Sequence, residues 1–152
     1  MAETESIRCM QLPLHNQQLL LPNSAVAEII GYTSPEAAHQ GSGWYDGKIS
    51  WRGVLVPVVS VEKMCGMETA ESGHRTRIAI IYNPNGDESL PYIGLILQDI
   101  PRAYLAEPER LQDMQNTAAC DYLLGQADAM FEHLYIPDLD AIIEATKQRN
   151  NH

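Results

Sequence analysis

The chain has 152 residues, of which 45% are hydrophobic and 20% charged, a size that suits one globular domain or two small subdomains sharing a core. Twenty acidic against ten basic residues give a formal net charge of -10. This balance argues against sequence-independent nucleic-acid binding, which needs a basic footprint, and against attraction to anionic membranes. Apolar runs punctuate nearly the whole length, so we do not expect intrinsic disorder.

Three cysteines, Cys9, Cys65 and Cys120, lie at wide spacings along the chain. An odd number so spaced is neither a disulfide framework nor a CxxC metal knuckle, and we expect reduced thiols in a cytosolic protein. The first six residues lack the basic and apolar regions of a signal peptide. No apolar stretch approaches the ~20 residues that a membrane helix needs, so direct membrane insertion is not expected.

The first 43 residues predict a hairpin, a short helix and a loop. Residues 7–14 alternate at a period of two and then turn into residues 19–22, which predicts two paired strands. Residues 23–31 predict a short helix, because a capping residue precedes apolar residues at positions 26, 29 and 30 and a glycine follows them. Residues 33–43 carry turn-forming residues with little apolar content and predict a loop.

The strongest strand pattern covers residues 44–51 and 54–61, joined by the turn Arg52-Gly53. Pro57 cannot donate to a ladder, so the second strand is expected at a sheet edge or bulged there. Alternation puts Val54, Val56 and Val58 on one face and Leu55, Pro57 and Val59 on the other. The sequence leaves open which of these faces is core. Ser60 can then cap one helical turn, which Gly66 ends.

The second half of the chain predicts further short strands and one longer helix. A polar linker at 67–75 divides two β-rich halves, and no exact internal repeat is visible. The strands are predicted at 76–82, 92–97, 100–105, 120–127 and 130–136, with a turn at 83–87 and a short helix or loop at 108–115. Asp138 can cap a helix whose apolar face contains Leu139, Ile142, Ile143 and Thr146. Strands that do not alternate with helices favour small barrels or a sandwich over a parallel α/β sheet.

No constellation typical of an enzyme emerges from the polar residues. Gly47-Lys48 lacks the spacing of a phosphate-binding loop. Cys65 and His74 have no third group to orient them as nucleophile and base. The histidines and cysteines do not cluster, so no metal site is predicted. The sequence leaves open a catalytic pair of acidic residues that neighbouring strands bring together. The simplest interpretation of Glu107, Glu109 and Asp113 is that they are solvated surface residues.

Aromatic residues concentrate between positions 44 and 51, where Trp44, Tyr45 and Trp51 lie close to Arg52. These side chains suit either core packing or a partner-binding patch, since Trp, Tyr and Arg are favoured interface anchors. Glu28 and Arg52, each taken alone, are ordinary surface charges.

Residues 50–61 resemble the CheW-type chemotaxis coupling proteins. That family has an N-L-R-G turn, a hydrophobic strand with a proline, and an aspartate at the end of the strand. Arg52, Gly53 and Pro57 match this pattern, while Trp51 stands for the leucine and Ser60 for the aspartate. Upstream, residues 26–29 resemble the family's V-x-E-I helix.

The resemblance continues through almost the whole chain, from about residue 7 to residue 146. Residues 77–82 and 93–97 resemble a hairpin in the family's second half, and residues 122–125 resemble its Y-L-x-G strand. Residues 134–143 resemble the closing strand and helix. The segment 19–28 and the entry at Gly43-Trp44 are most similar to divergent ChpC-type members of type IV pilus (twitching motility) chemosensory systems.

The resemblance implies a mainly β fold of two intertwined five-stranded SH3-like β-barrels, with short helices, a C-terminal helix and a hydrophobic groove between the barrels. We therefore expect a single domain over 7–149. Its first subdomain is expected at about 7–66 and its second at about 76–136. A helix at about 138–149 is expected to pack back onto them.

The resemblance also implies a non-enzymatic adaptor that couples a methyl-accepting chemoreceptor to the regulatory domain of a CheA-type histidine kinase, in the cytoplasm at receptor arrays. No catalytic, cofactor or metal residue is expected. The implied partner-binding residues are Trp51, Arg52, Val54 and Val56, and Glu28 and Arg52 are expected to form a structural pair. The alternative is a double-barrel interaction module that serves another signalling partner.

Overall fold

The computed structural model of the chain describes residues 6–36, 43–107, 120–126 and 134–150. Within these residues lie ten strands, two α-helices and one short 3-10 helix. In chain order the elements are β1 (Ile7–Pro13), β2 (Gln18–Pro22), the 3-10 helix (Asn23–Ala25), β3 (Val26–Gly31), β4 (Tyr45–Trp51), β5 (Val54–Val59), α1 (Val61–Met64), β6 (Arg77–Tyr82), β7 (Tyr92–Leu97), β8 (Arg102–Ala106), β9 (Leu123–Gln126), β10 (Leu134–Pro137) and α2 (Leu139–Asn150). The predicted helix or loop at 108–115 lies outside the described residues.

The strands form two five-stranded sheets, which we call sheet A and sheet B. Sheet A has the order β8-β1-β2-β10-β9, and sheet B has the order β3-β6-β7-β5-β4. Antiparallel pairs dominate, but β10 pairs with β2 and β5 pairs with β7 in parallel. Each parallel pair joins a strand from before residue 67 to a strand from after residue 75.

The predicted division of the strands at the linker is therefore wrong. We expected one β-subdomain over 7–66 and another over 76–136, but each sheet takes strands from both sides of the linker. The reason is that the chain leaves sheet A after β2, builds all of sheet B, and returns to sheet A at β8. The linker lies between β5 and β6, and both of these strands belong to sheet B.

The core lies mostly between the two sheets. Alternation along β6 places Ile78 and Ile80 in a core cluster formed by strands of sheet B alone. It places Ala79 and Ile81 in the layer between the two sheets. That layer also receives side chains from both sheets and from α2, among them Leu12, Leu19, Leu95, Ile142 and Ile143. A strand buried on both faces reads as a continuous apolar run, as residues 78–81 do.

The capped helices occur where the sequence predicts them. The Ser60 Oγ accepts a hydrogen bond of 3.3 Å from the Lys63 backbone N–H at the start of α1. Gly66 follows α1 with φ 68°, a conformation that glycine adopts without steric cost. An oxygen of Asp138 accepts from the Ala141 N–H at 3.1 Å at the start of α2, and α2 packs back through Ile142 and Ile143.

The helix predicted over residues 23–31 is wrong beyond its first turn. Only Asn23–Ala25 is helical, as a 3-10 turn, and Val26–Gly31 is the outer strand β3, paired with β6. Three apolar residues at helical spacing are too few to fix a helix. Val26, Ile29 and Ile30 are β-branched, and such side chains favour a strand when a pairing partner is present.

The expectation for Pro57, that its strand lies at a sheet edge or is bulged at that residue, is wrong. β5 is an interior strand, but its parallel pairing with β7 covers only Val58 and Val59. Pro57 lies just before that pairing, so its missing N–H removes no bond to β7. The bulge lies in the opposite strand, between Tyr45 and Gly47 of β4.

Two of the three cysteines form a disulfide, which corrects the prediction of three reduced thiols. Cys65 and Cys120 are bonded although 55 residues separate them, and their Cα atoms lie 5.3 Å apart. Cys9 is free and buried. Sequence spacing could not show this pair, because it is the crossing between the sheets that brings the two residues together.

Candidate partner-binding site

A tight two-residue turn at the tip of the β4–β5 hairpin organises the candidate site. Trp51 pairs with Val54, and Arg52 and Gly53 between them have φ 48° and 77°. Two consecutive positive φ angles are typical of a type I′ turn, whose twist matches that of a β-hairpin. Arginine in this conformation is uncommon.

Glu28 on β3 holds both residues at the tip. One carboxylate oxygen, Oε1, accepts a hydrogen bond of 3.0 Å from the Trp51 indole N–H and one of 3.1 Å from the Arg52 guanidinium. The guanidinium also lies 4.8 Å from the centroid of the Trp51 ring, within range for a cation–π interaction. The expected Glu28–Arg52 contact is therefore present, and it includes Trp51.

This contact brings together the two outer strands of sheet B. Glu28 lies on β3 and Trp51 ends β4, and these strands stand at opposite ends of the sheet order. A bulge between Val26 and Glu28 changes the register of β3 just before the carboxylate. Sheet B therefore curls until its outer strands meet at the hairpin tip, as in a small barrel.

Aromatic contacts extend the site to the β6–β7 pair. The Trp51 ring meets Tyr92 edge-on at 4.9 Å between centroids, and Tyr92 lies 5.6 Å from Tyr82. Trp44 and Tyr45, at the other end of β4, make a separate edge-on contact. The predicted aromatic concentration is thus divided between the two ends of one strand.

Exposure decides which of the expected residues can meet a partner. Arg52 has 70% of its side chain exposed and Leu55 is 64% exposed, whereas Val56 is 0% and Trp51 8% exposed. The prediction that Val56 contacts a partner is wrong, because it lies in the interior of sheet B. Val54 is half-buried against that same core, and the buried Trp51 ring packs against the Arg52 guanidinium.

We call the half-buried Glu28 and the exposed Arg52, Leu55 and Tyr82 the hairpin surface. The sequence prediction missed Leu55 and Tyr82. Leu55 belonged to the face that the sequence left open, since both faces of β5 are apolar. Tyr82 ends a strand and had no motif to mark it, but its pairing with Tyr92 across β6 and β7 places it beside the hairpin tip.

The rejected catalytic candidates have structural roles. Cys65 is in the disulfide and is not a free nucleophile. Glu36 forms a β-bridge with Lys48, and a side chain at Gly47 would collide with the backbone oxygen of Glu36. Glycine at position 47 therefore allows the two backbone segments to approach closely. No group of three or more potential metal ligands occurs among the described residues. The described part of the chain also contains no helix with the length and apolarity to cross a membrane.

Comparisons with known proteins agree with this architecture. A family model described as "CheW-like domain" matches residues 8–147. The solved structure of the scaffolding protein TtCheW from Thermoanaerobacter tengcongensis is similar, with a TM-score of 0.75 and 17% sequence identity over 88% of this chain and 89% of that one. This likeness confirms the expected mainly β fold with two five-stranded sheets and a C-terminal helix. No curated protein matches the sequence.

Proposed function

The chain belongs to the CheW-like domain family, and on that premise we propose that it is a non-enzymatic adaptor in bacterial chemosensory signalling. Its partners are the cytoplasmic tip of a methyl-accepting chemoreceptor and the regulatory domain of a CheA-type histidine kinase. The observation that carries the proposal is the family match over residues 8–147, together with the exposed Arg52 held by Glu28 and Trp51.

The hairpin surface has the physical character of a protein-binding site. Arg52 is restrained by a carboxylate and an aromatic ring, so less side-chain entropy is lost when it binds. Leu55 adds apolar area on the same hairpin, and Tyr82 adds an aromatic side chain that is 46% exposed. Arginine and tyrosine are over-represented among residues that dominate binding energy.

The mechanism of such an adaptor is positional. One surface holds the receptor and another holds the kinase, and kinase activity follows receptor conformation if the contacts differ in free energy between the two signalling states. The two sheets share one core layer, so displacement of one sheet is opposed by the packing of the other.

We assign the protein, more finely, to the ChpC-type adaptors that serve type IV pilus systems. The support is the sequence of residues 19–28 and of Gly43-Trp44. On this assignment the protein acts in the cytoplasm beside the receptor arrays, and its loss impairs twitching motility.

Binding measurements on matched variants test the proposed surface. We expect Leu55→Glu and Arg52→Ala to weaken binding to a purified kinase regulatory domain or receptor-tip fragment by about tenfold or more, as for interface anchors. Leu105→Glu is the control for Leu55, since Leu105 is 62% exposed on sheet A. Arg75→Ala is the control for Arg52, since Arg75 is 65% exposed and pairs with Asp99.

A melting curve for each variant separates lost binding from lost folding. Leu55→Glu is expected to keep the parent's thermal stability, while Val56→Glu is expected to unfold the protein, because it places an unpaired charge in a core. Parent-like binding by both Leu55→Glu and Arg52→Ala would place the partner site elsewhere.

A deletion strain tests the cellular assignment. Twitching is expected to fall and to recover with the parent gene but not with a gene encoding the Arg52→Ala, Leu55→Glu double variant. Normal twitching, together with co-purification of neither a receptor nor a kinase, would favour an interaction module with another signalling partner.

A further inference from the structure

The Cys65–Cys120 disulfide joins the two sheets at their junction. Cys65 is the residue after α1, which follows β5 of sheet B, and Cys120 stands three residues before β9 of sheet A. The Cys120 Sγ accepts from the Tyr122 N–H at 3.4 Å, and the Cys120 carbonyl accepts from the Leu123 N–H at 3.2 Å. The disulfide therefore fixes the turn that begins β9.

The helix that carries Cys65 is itself held to both sheets. Glu62 of α1 is 1% exposed, and its carboxylate accepts from the His15 backbone N–H at 2.8 Å and from the Gln98 side chain at 2.9 Å. His15 belongs to the β1–β2 turn of sheet A, and Gln98 follows β7 of sheet B. Helix α1 is thus a firm anchor, and β9 is the element attached to it.

The strand at the other end of the disulfide is weakly held by backbone pairing. β9 is the outer strand of sheet A in the described part of the chain, and its register with β10 comprises three residue pairs with an irregularity near Pro137. A short outer strand is among the elements that open first in a native protein. A covalent bond at its start therefore has a large effect on whether it opens.

The two sulfurs are placed where both oxidation states are compatible with the fold. Cys65 and Cys120 are half-buried rather than enclosed, and both pack against the shared core layer as apolar side chains do. Cys9, by contrast, is 4% exposed, and burial raises the pKa of its thiol. Thiolate is the reactive form, so Cys9 is expected to react slowly.

We propose that Cys65 and Cys120 form a reversible thiol–disulfide site that fixes the start of β9 to α1 when oxidised and releases it when reduced. The reactant is a thiol or disulfide of the glutathione class. In reduction, a small thiolate attacks the sulfur of Cys65 or Cys120, which breaks the protein S–S bond, forms a mixed disulfide and releases the other cysteine as a thiolate. A second small thiolate then attacks the small-thiol sulfur of the mixed disulfide and releases the remaining protein thiolate. In the net reaction, the protein disulfide gains two electrons and two protons and becomes two thiols, while two small thiols lose them and become one disulfide. Oxidation is the reverse reaction.

Alkylation of the full chain tests the chemistry. Unfolded in denaturant without reductant, the protein is expected to take up one iodoacetamide group, at Cys9, and after reduction it is expected to take up three. In the folded protein, the alkylated fractions of Cys65 and Cys120 are expected to rise together as glutathione replaces glutathione disulfide. Alkylation of Cys65 or Cys120 after equilibration with excess glutathione disulfide, or no alkylation of either in excess glutathione, would overturn the proposal.

Hydrogen exchange tests the structural consequence. Dithiothreitol is expected to speed exchange of residues 120–126 at least tenfold and to leave β6 and β7 unchanged. Cys65→Ser and Cys120→Ser proteins are expected to show the fast exchange without reductant and no response to it, whereas Cys9→Ala keeps the parent's response. Equal exchange of residues 120–126 in the oxidised, reduced and Cys65→Ser proteins would show that the bond holds nothing in place.

Discussion

At the scale of single residues, Glu28 contributes more than its ion pair. The Arg52 and Glu28 side chains are 70% and 39% exposed, so their ion pair is a surface one, of the kind that contributes about 0.2–1 kcal/mol. The same oxygen satisfies the indole N–H of Trp51, whose side chain is nearly buried. The two contacts of Glu28 therefore have different energetic weights.

A set of substitutions separates the two contacts. We expect Glu28→Ala to destabilise the fold by about 1–3 kcal/mol, because it leaves the Trp51 N–H without an acceptor. Glu28→Gln and Arg52→Ala should each cost less than about 1 kcal/mol, since both retain an acceptor for Trp51. Urea unfolding gives these values, and a double-mutant cycle isolates the pair. Equal losses for Glu28→Ala and Glu28→Gln would contradict this division.

Glu62 is the most deeply buried carboxylate among the described residues, at 1% exposed. Three donors surround it, the His15 N–H, the Gln98 amide and, at 3.4 Å, the Thr69 hydroxyl. A buried carboxyl group is tolerated when hydrogen bonds satisfy its oxygens. The sequence showed only an acidic residue in the first turn of a short helix.

Removal of this carboxylate should weaken the junction between the sheets. We expect Glu62→Ala to lower the free energy of unfolding by about 1–3 kcal/mol, because the part-buried donors His15 N–H and Gln98 amide lose their acceptor. Glu62→Gln, which keeps one oxygen, should lose less. The control is Glu68→Ala at an exposed carboxylate of the same region, expected within about 0.5 kcal/mol of the parent. Denaturant unfolding decides, and equal values for Glu62→Ala and Glu68→Ala would contradict the role assigned to Glu62.

At the scale of elements, two polar contacts fasten α2 to the loop between β6 and β7. Lys147 donates to Asp87 at 2.6 Å near the end of the helix, and Asn85 donates to Asp140 at 3.2 Å near its start. The hydrogen bond from Lys147, followed by those from Ser89, holds the pKa of Asp87 well below its usual range. The apolar face of α2 supplies packing, and these contacts fix its position along the loop.

The attachment of α2 should depend on pH with a definite sign. The pKa of Asp87 is lower in the folded protein than the ordinary value of 3.8, so its contribution to stability is present above about pH 4 and is lost as pH falls toward the folded pKa. The stability difference between the parent and Asp87→Asn should therefore shrink steadily below pH 4 in thermal melts. Lys147→Met, which lacks the cation, should show a smaller acid-dependent change. A difference that stays constant from pH 6 to pH 2 would contradict this assignment.

At the scale of the whole molecule, the two sheets are interleaved along the chain. Sheet B lies wholly between the second and eighth strands, and sheet A is completed only by the last strands. The parallel pairs β2–β10 and β5–β7 join the two halves, and the main core layer takes side chains from both. Neither half contains a complete sheet or a complete core.

Fragments divided within the linker should therefore not fold alone. We expect fragments 1–70 and 71–152, each studied in reductant, to show no cooperative unfolding transition, since each exposes the strand edges and apolar faces that the other covers. A mixture of the two should recover a transition and a strand-rich circular dichroism spectrum. Cooperative unfolding of either fragment alone would show that it forms a domain by itself.

The sequence alone determined the features that depend on neighbours in the chain. The β1–β2 and β4–β5 hairpins, the Ser60 and Asp138 caps and the strand-rich composition follow from alternation, turn residues and capping side chains, all of which act within a few positions. The family resemblance supplied the double-barrel fold and the Glu28–Arg52 contact. None of these required knowledge of which strand lies beside which.

Only the tertiary structure decided the features that depend on distant neighbours. Residues 26–31 became a strand because β6 was available to pair with them. Both faces of β5 are apolar, so only the curl of sheet B could bury Val56 and leave Leu55 in solvent. Cys65 and Cys120 met because the chain crosses between the sheets. In each case the local pattern suits two outcomes about equally, and burial or pairing with a distant segment supplies the free energy that selects one.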